Sequence, residues 1–131
     1  MPERGAGRIM HGRRGLENAK YGMEGEFHEF ACFLSQQSAE KALKAAYQKL
    51  KADVVGHSIT ALIQRFPQKN RFDQKIMDEA KELDQAYIPT RYPDSYPEGA
   101  PFMMYSEEQS RRLISFAEHI LRRCESILSE V

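Results

Sequence analysis

The chain has 131 residues, 41% hydrophobic and 29% charged, with 19 basic and 19 acidic side chains and a formal net charge of zero. That length fits one domain whose core needs no disulfide or metal staple, and the neutral balance excludes a global pull towards nucleic acid, so any such binding must come from a local patch. No stretch approaches the roughly 20 apolar residues of a membrane span, and the N-terminus lacks the apolar centre of a secretory signal, so the expected compartment is the cytoplasm.

Residues 1–15 carry Gly5, Gly7, Gly12 and Gly15 among Arg4, Arg8, Arg13 and Arg14. A basic, glycine-punctuated start predicts a frayed end over residues 1–9, with helix taking hold near Arg8 and running to about Met23. Gly22 and Gly25 mark its end, since glycine after a helix can adopt the left-handed cap. From Phe27 onward, Phe27, Ala31, Leu34, Ala42, Ala46 and Leu50 follow helical spacing, with Phe30 and Leu43 widening the stripe. Alanines at 31, 39, 42, 45 and 46 raise helix propensity and permit close helix approach. Glu40 precedes Lys44 by one turn in the favourable acid-first order. Gly56-His57-Ser58 reads as a turn, with Ser58 as N-cap of a short helix through Phe66 that Pro67 stops. A fourth helix from about Phe72 sets Phe72, Ile76, Ala80, Leu83 and Tyr87 on one face.

Pro89 to Pro101 then form a loop, and Ser106-Glu-Glu-Gln109 has the form of a capping box. Behind it Leu113, Ala117, Ile120, Cys124 and Ile127 repeat at helical spacing, broadened by Ile114, Leu121 and Leu128. No segment alternates as a strand would. The expected architecture is all-α, an up-and-down antiparallel bundle of four to five helices in one domain over residues 1–131. Cys32 and Cys124 each sit in an apolar helical pattern, as free buried thiols or as a pair if their helices face each other.

Tyr87-Ile-Pro-Thr-Arg-Tyr-Pro-Asp94 carries the densest chemistry. Pro89 and Pro93 fix φ and stiffen the segment around Arg91. Arg91 can grip phosphate bidentately while Tyr92 or Tyr96 stacks on a base, and Lys41 and Lys44 add charge if the second helix borders the loop. Equally, Arg91 can pair with Asp94 or a helical carboxylate as a clamp while the tyrosines cover the end of the bundle. Gln36, Gln37 and Glu40 read as hydrogen-bonding residues between helices or subunits. Four scattered histidines lack metal-ligand spacing, no glycine-rich phosphate loop with lysine is present, and no metal or cofactor is expected.

Phe30-Ala-Cys-Phe-Leu-Ser-Gln-Gln-Ser-Ala-Glu-Lys-Ala-Leu-Lys44, Gly56-His-Ser58 and the Tyr87–Asp94 segment together resemble the HEPN domain family, over roughly residues 10–130. The resemblance implies a helical bundle that commonly forms homodimers and is often encoded beside a minimal nucleotidyltransferase, as in toxin–antitoxin-like pairs. It also implies one of two roles. Many members are metal-independent RNases using an Arg, four to six intervening residues and a His; others lack that motif and bind nucleotides or act as partners. Here no histidine follows Arg91 at that spacing. Arg112 and His119 match it within the last helix, and Arg4 and His11 match it in the N-terminal end. His57 is the other candidate base, or else caps its turn. The reading is a nucleotide- or RNA-associated binding module, against an RNase built on Arg112 and His119 (or on Arg91 with His57) and against a ligand-free dimeric scaffold.

Overall fold

In the computed structural model, residues 5–87 and 104–130 are described. They form five helices: α1 (Ala6–Glu24), α2 (His28–Lys49), α3 (Ile59–Gln64), α4 (Gln74–Gln85) and α5 (Glu107–Leu128). No strand occurs among the described residues, and no helix there is long and apolar enough to cross a membrane. The fold is an all-α bundle.

The helix α2 packs against each of the other four. A helix enclosed on several sides needs small or polar-but-satisfied residues where a surface helix has one apolar stripe. Accordingly Ala31, Ala39, Ala42, Ala45 and Ala46 are buried together with Ser35, Gln36, Ser38 and Glu40. The predicted stripe is displaced at its start, because Phe27 and Phe30 are 61% and 52% exposed. Phe27 is the N-cap of α2, and α1 approaches α2 on the alanine side, so both rings are left outside.

The seam between α1 and α2 explains Gly5, Gly12 and Gly22. A Cβ on Gly12 would lie 3.2 Å from the Ser38 carbonyl oxygen, and one on Gly22 would lie 3.6 Å from Ala31 Cβ. The Ser38 hydroxyl donates to the Gly12 carbonyl at 2.7 Å, a bond that fixes the register of the two backbones. Helix starts at Ala6, ahead of the expected Arg8. Gly5, at φ 87°, tucks where any Cβ would meet the Ala45 carbonyl at 2.5 Å, and Ile9 is in the core. Gly5 and Gly12, which looked like fraying, are packing positions, whereas Gly7 faces open space.

The caps follow the sequence. Ser58, Asp73 and Ser106 accept from the backbone N–H groups of Ala61, Ile76 and Gln109. The two ends of α2 are tied down by His28 Nδ1 with Ser110 Oγ at 3.0 Å and by the Tyr47 hydroxyl donating to Leu62 O at 2.7 Å. Tyr47, Phe66 and Phe72 form an edge-to-face chain with centroids 5.3 and 5.2 Å apart. On α5 the predicted face is the buried one, with Leu113, Ile114, Ala117, Ile120, Leu121, Cys124, Ile127 and Leu128 all inside. Cys32 and Cys124 are both free and buried. Burial pushes the Cys32 thiol up to about 12 and raises that of Cys124 as well, so neither supplies a nucleophilic thiolate near neutrality.

A side chain at Gly12 must push α1 off α2. Gly12→Val should lower the unfolding free energy by about 2 kcal/mol. Gly7, whose Cβ would meet nothing within 4 Å, should accept Ala with no loss and a gain of up to about 1 kcal/mol. Urea unfolding of both variants checks the pair; equal effects at the two positions would refute a tight seam at Gly12.

Candidate functional site

The conspicuous polar cluster grows from one face of α2. Gln36 and Glu40 are 0% and 7% exposed, one helical turn apart, and the chain returns past them after α2. There His57 Nδ1 lies 3.1 and 3.2 Å from the two Glu40 oxygens. With its proton on Nδ1 the imidazole donates to the carboxylate, leaving Nε2 on the outer edge. Lys44 Nζ donates to the second Glu40 oxygen at 3.0 Å. Gln36 Nε2 donates to the His57 carbonyl at 2.8 Å, and Gln37 Nε2 donates to Gln36 Oε1 at 2.9 Å. The carboxylate is thus paired and hydrogen-bonded, as a buried charge must be.

His57 also lies flat against Tyr87, with centroids 4.9 Å apart and planes 16° apart, and Phe33 flanks the same tyrosine at 6.2 Å. Tyr87 stands just beyond α4. Its end is held by Asp84, which accepts from the backbone N–H groups of Ile59 and Thr60 at 2.6 and 3.0 Å and from the Ser58 hydroxyl at 3.0 Å. One carboxylate on α4 therefore fixes the start of α3, and the chain around His57, Ser58 and Tyr87 is drawn together. His57 caps no helix; that role belongs to Ser58, and the imidazole serves Glu40.

The predicted site residues separate accordingly. Arg91, Tyr92, Asp94 and Tyr96 lie outside the described residues, beyond Tyr87, as does Arg4. Lys44 is committed to Glu40 with 14% of its side chain exposed, which makes it a poor phosphate grip. Lys41, half-buried on the same helix, is in no ion pair among the described residues. Arg112 and His119 do not converge. Arg112 pairs with Glu82 at 3.2 Å, in a cleft with Met104, Tyr105 and Gln109. His119 Nδ1 sits 2.9 and 3.0 Å from the oxygens of Glu79. Seven residues along a helix amount to about 10 Å of rise, and each side chain has its own carboxylate on α4.

Two acidic residues escaped the sequence reading. Glu79 is 5% exposed and interrupts the apolar face made by Ile76, Ala80 and Leu83, which is a readable sign of a buried partner. Asp84 lies beside Leu83 and looks like a solvated helix charge until α3 is placed against it.

The sequence profile of the HEPN domain matches residues 8–127. Among solved structures, a protein from Thermus thermophilus is 31% identical with a TM-score of 0.92, over 96% of this chain and 99% of that one. An archaeal HEPN homologue is 38% identical with a TM-score of 0.82, over 98% and 100%. An HEPN domain protein from Thermotoga maritima is 36% identical with a TM-score of 0.77, over 95% and 98%. No curated protein matches the sequence.

The burial of Glu40 sets the energetics of the cluster. Glu40→Ala strands the Lys44 ammonium and should cost roughly 3 kcal/mol of stability. His57→Ala should cost only about 1 kcal/mol, because the imidazole is 57% exposed and its pairing is screened. Chemical denaturation of the two variants checks the order; a costlier His57→Ala would reverse the assignment of Glu40 as the keystone.

Proposed function

The chain belongs to the HEPN domain family, and from that membership we propose that it is a nucleotide- or RNA-binding module, homodimeric, that works with a minimal nucleotidyltransferase as partner. The observation that carries the reading is the His57–Tyr87 ring stack, seated on the buried Gln36–Glu40 network. It holds Tyr87, four residues before Arg91 in sequence, against a buried support. Flat rings close in sequence to an arginine are what base stacking and phosphate contact need. In this reading Arg91 holds phosphate, Tyr92 or Tyr96 stacks on the base, and Lys41 supplies charge from α2. Asp94 orients Arg91, and Lys44 acts through Glu40.

Metal-independent RNA cleavage is the second reading, favoured by one observation. His57 and His119 each have Nδ1 held by a buried carboxylate, the arrangement that orients an imidazole as a base. Arg112, tied to Glu82, does not join His119 within one chain.

Nucleoside triphosphate or short RNA should raise the melting temperature, and Arg91→Ala should abolish the rise. A chain indifferent to both ligands sinks the binding reading. Cleavage of RNA in the presence of a chelator, lost in His57→Ala or His119→Ala, would displace it in favour of the enzyme.

A further inference from the structure

Between α4 and α5 lies a second cleft, of about 380 Å³, lined by Lys75, Glu79, His119, Arg122 and Arg123 with Asp73 at its edge. It is separate from the Tyr87 ring stack. Its floor is the Glu79–His119 pair. Glu79 accepts from His119 Nδ1, and the other ring nitrogen, Nε2, has no hydrogen-bond partner among the described residues. The acidic groups in the cleft are already engaged. Asp73 Oδ1 caps α4 at Ile76 N and Glu79 accepts from the imidazole, while three cations, Lys75, Arg122 and Arg123, outnumber these two carboxylates in the lining.

The cations are engaged less fully. Lys75 forms no ion pair among the described residues. Arg123 reaches only Asp73, at 4.0 Å and with 45% of its side chain exposed. Arg122 is held by Glu118 on its own helix, 72% exposed. Elsewhere on the surface, Arg13, Arg71, Lys81, Arg111 and Arg112 are each tied to a carboxylate. Like Lys75, Arg8, Arg14, Lys41, Lys51, Arg65 and Lys69 are in no ion pair among the described residues. What sets the cleft apart is that Lys75, Arg122 and Arg123 meet there beside one imidazole edge.

We infer that this cleft binds the phosphate group of a small phosphomonoester, with Lys75 and Arg123 as the charged grips and His119 Nε2 as the directional contact. Glu79 acts as a positioning residue, fixing which imidazole nitrogen faces the ligand. A terminal phosphate that keeps one P–OH suits two cations and one imidazole edge, its hydroxyl donating to the unprotonated Nε2. A polynucleotide backbone needs cations spaced along its path, whereas Lys75, Arg122 and Arg123 converge on one cleft. The site is independent of the Arg91 loop and stands whether or not that loop binds nucleotide.

The test is titration of the full chain with inorganic phosphate and with glycerol phosphate, read from the NMR signals of the His119 ring, assigned with His119→Gln. Both should shift that ring, while chloride at matched ionic strength should not. The double variant Lys75→Gln, Arg123→Gln, whose changes are at the surface, should weaken the response at least about tenfold with unchanged circular dichroism. Glu79→Gln should weaken it less and alter the ring-nitrogen signals of the free protein. An unmoved His119 ring, an equal response to chloride, or unchanged affinity in the double variant would each overturn the site. So would displacement of phosphate by a short RNA lacking terminal phosphates, which would make the cleft a strand contact. Arg91→Ala should leave the His119 response intact, so failure of the loop reading and failure of this one are told apart.

Discussion

Everything described in this bundle is arranged around the burial of α2. A helix touched by four others buries part of its polar side chains, and each buried one must be absorbed into the packing or bonded. The chain does both. Alanine and serine make the thin walls, against which the glycines of α1 close, while Ser35 returns its hydroxyl to Ala31 O and Ser38 crosses to Gly12 O. Among the described residues only Thr60 Oγ1 is a buried side-chain polar atom without a partner. The larger polar residues, Gln36 and Glu40, are stabilised because the chain after α2 folds back to present a carbonyl and an imidazole to them.

That constraint also explains where chemistry can sit. Buried carboxylates on α2 and α4 each recruit one histidine, from the α2–α3 connection and from α5 respectively. In both pairs the carboxylate lies deeper than the ring, so the imidazole is oriented from beneath and presents an edge to solvent. Two such pairs in a bundle of this size follow from enclosed helices that retain acidic residues, each of which must find a cation or donor as the neighbouring element arrives.

The sequence was legible wherever a residue acts within its own helix. The capping serines at 58 and 106, the apolar face of α5 and the stripe of α4 are local signals, and they correspond to the structure because turn spacing alone sets them. The α1 glycines were opaque because the same residue type serves frayed ends and tight helix seams, and only the partner distinguishes them. Phe27 and Phe30 have helical spacing but face outward, since the alanine face gives the closer approach. Glu79 and Asp84 needed tertiary placement altogether. Their partners are 40 and 25 residues away along the chain, a distance no periodicity conveys. Arg112 and His119 show the converse error, for matching spacing brought them to one helix side without bringing them together.

The Asp84 clamp has a dynamic consequence. A helix of six residues is too short to nucleate alone, so α3 borrows its order from the end of α4. The same few bonds hold the connection bearing His57 beside Tyr87. Loss of that carboxylate grip removes the three bonds at the start of α3, while Tyr47 still holds the Leu62 carbonyl and Gln36 the His57 carbonyl. Amide exchange in the first turn of α3 therefore reports on the Asp84 grip itself, since the N–H groups of Ile59 and Thr60 are the ones it holds.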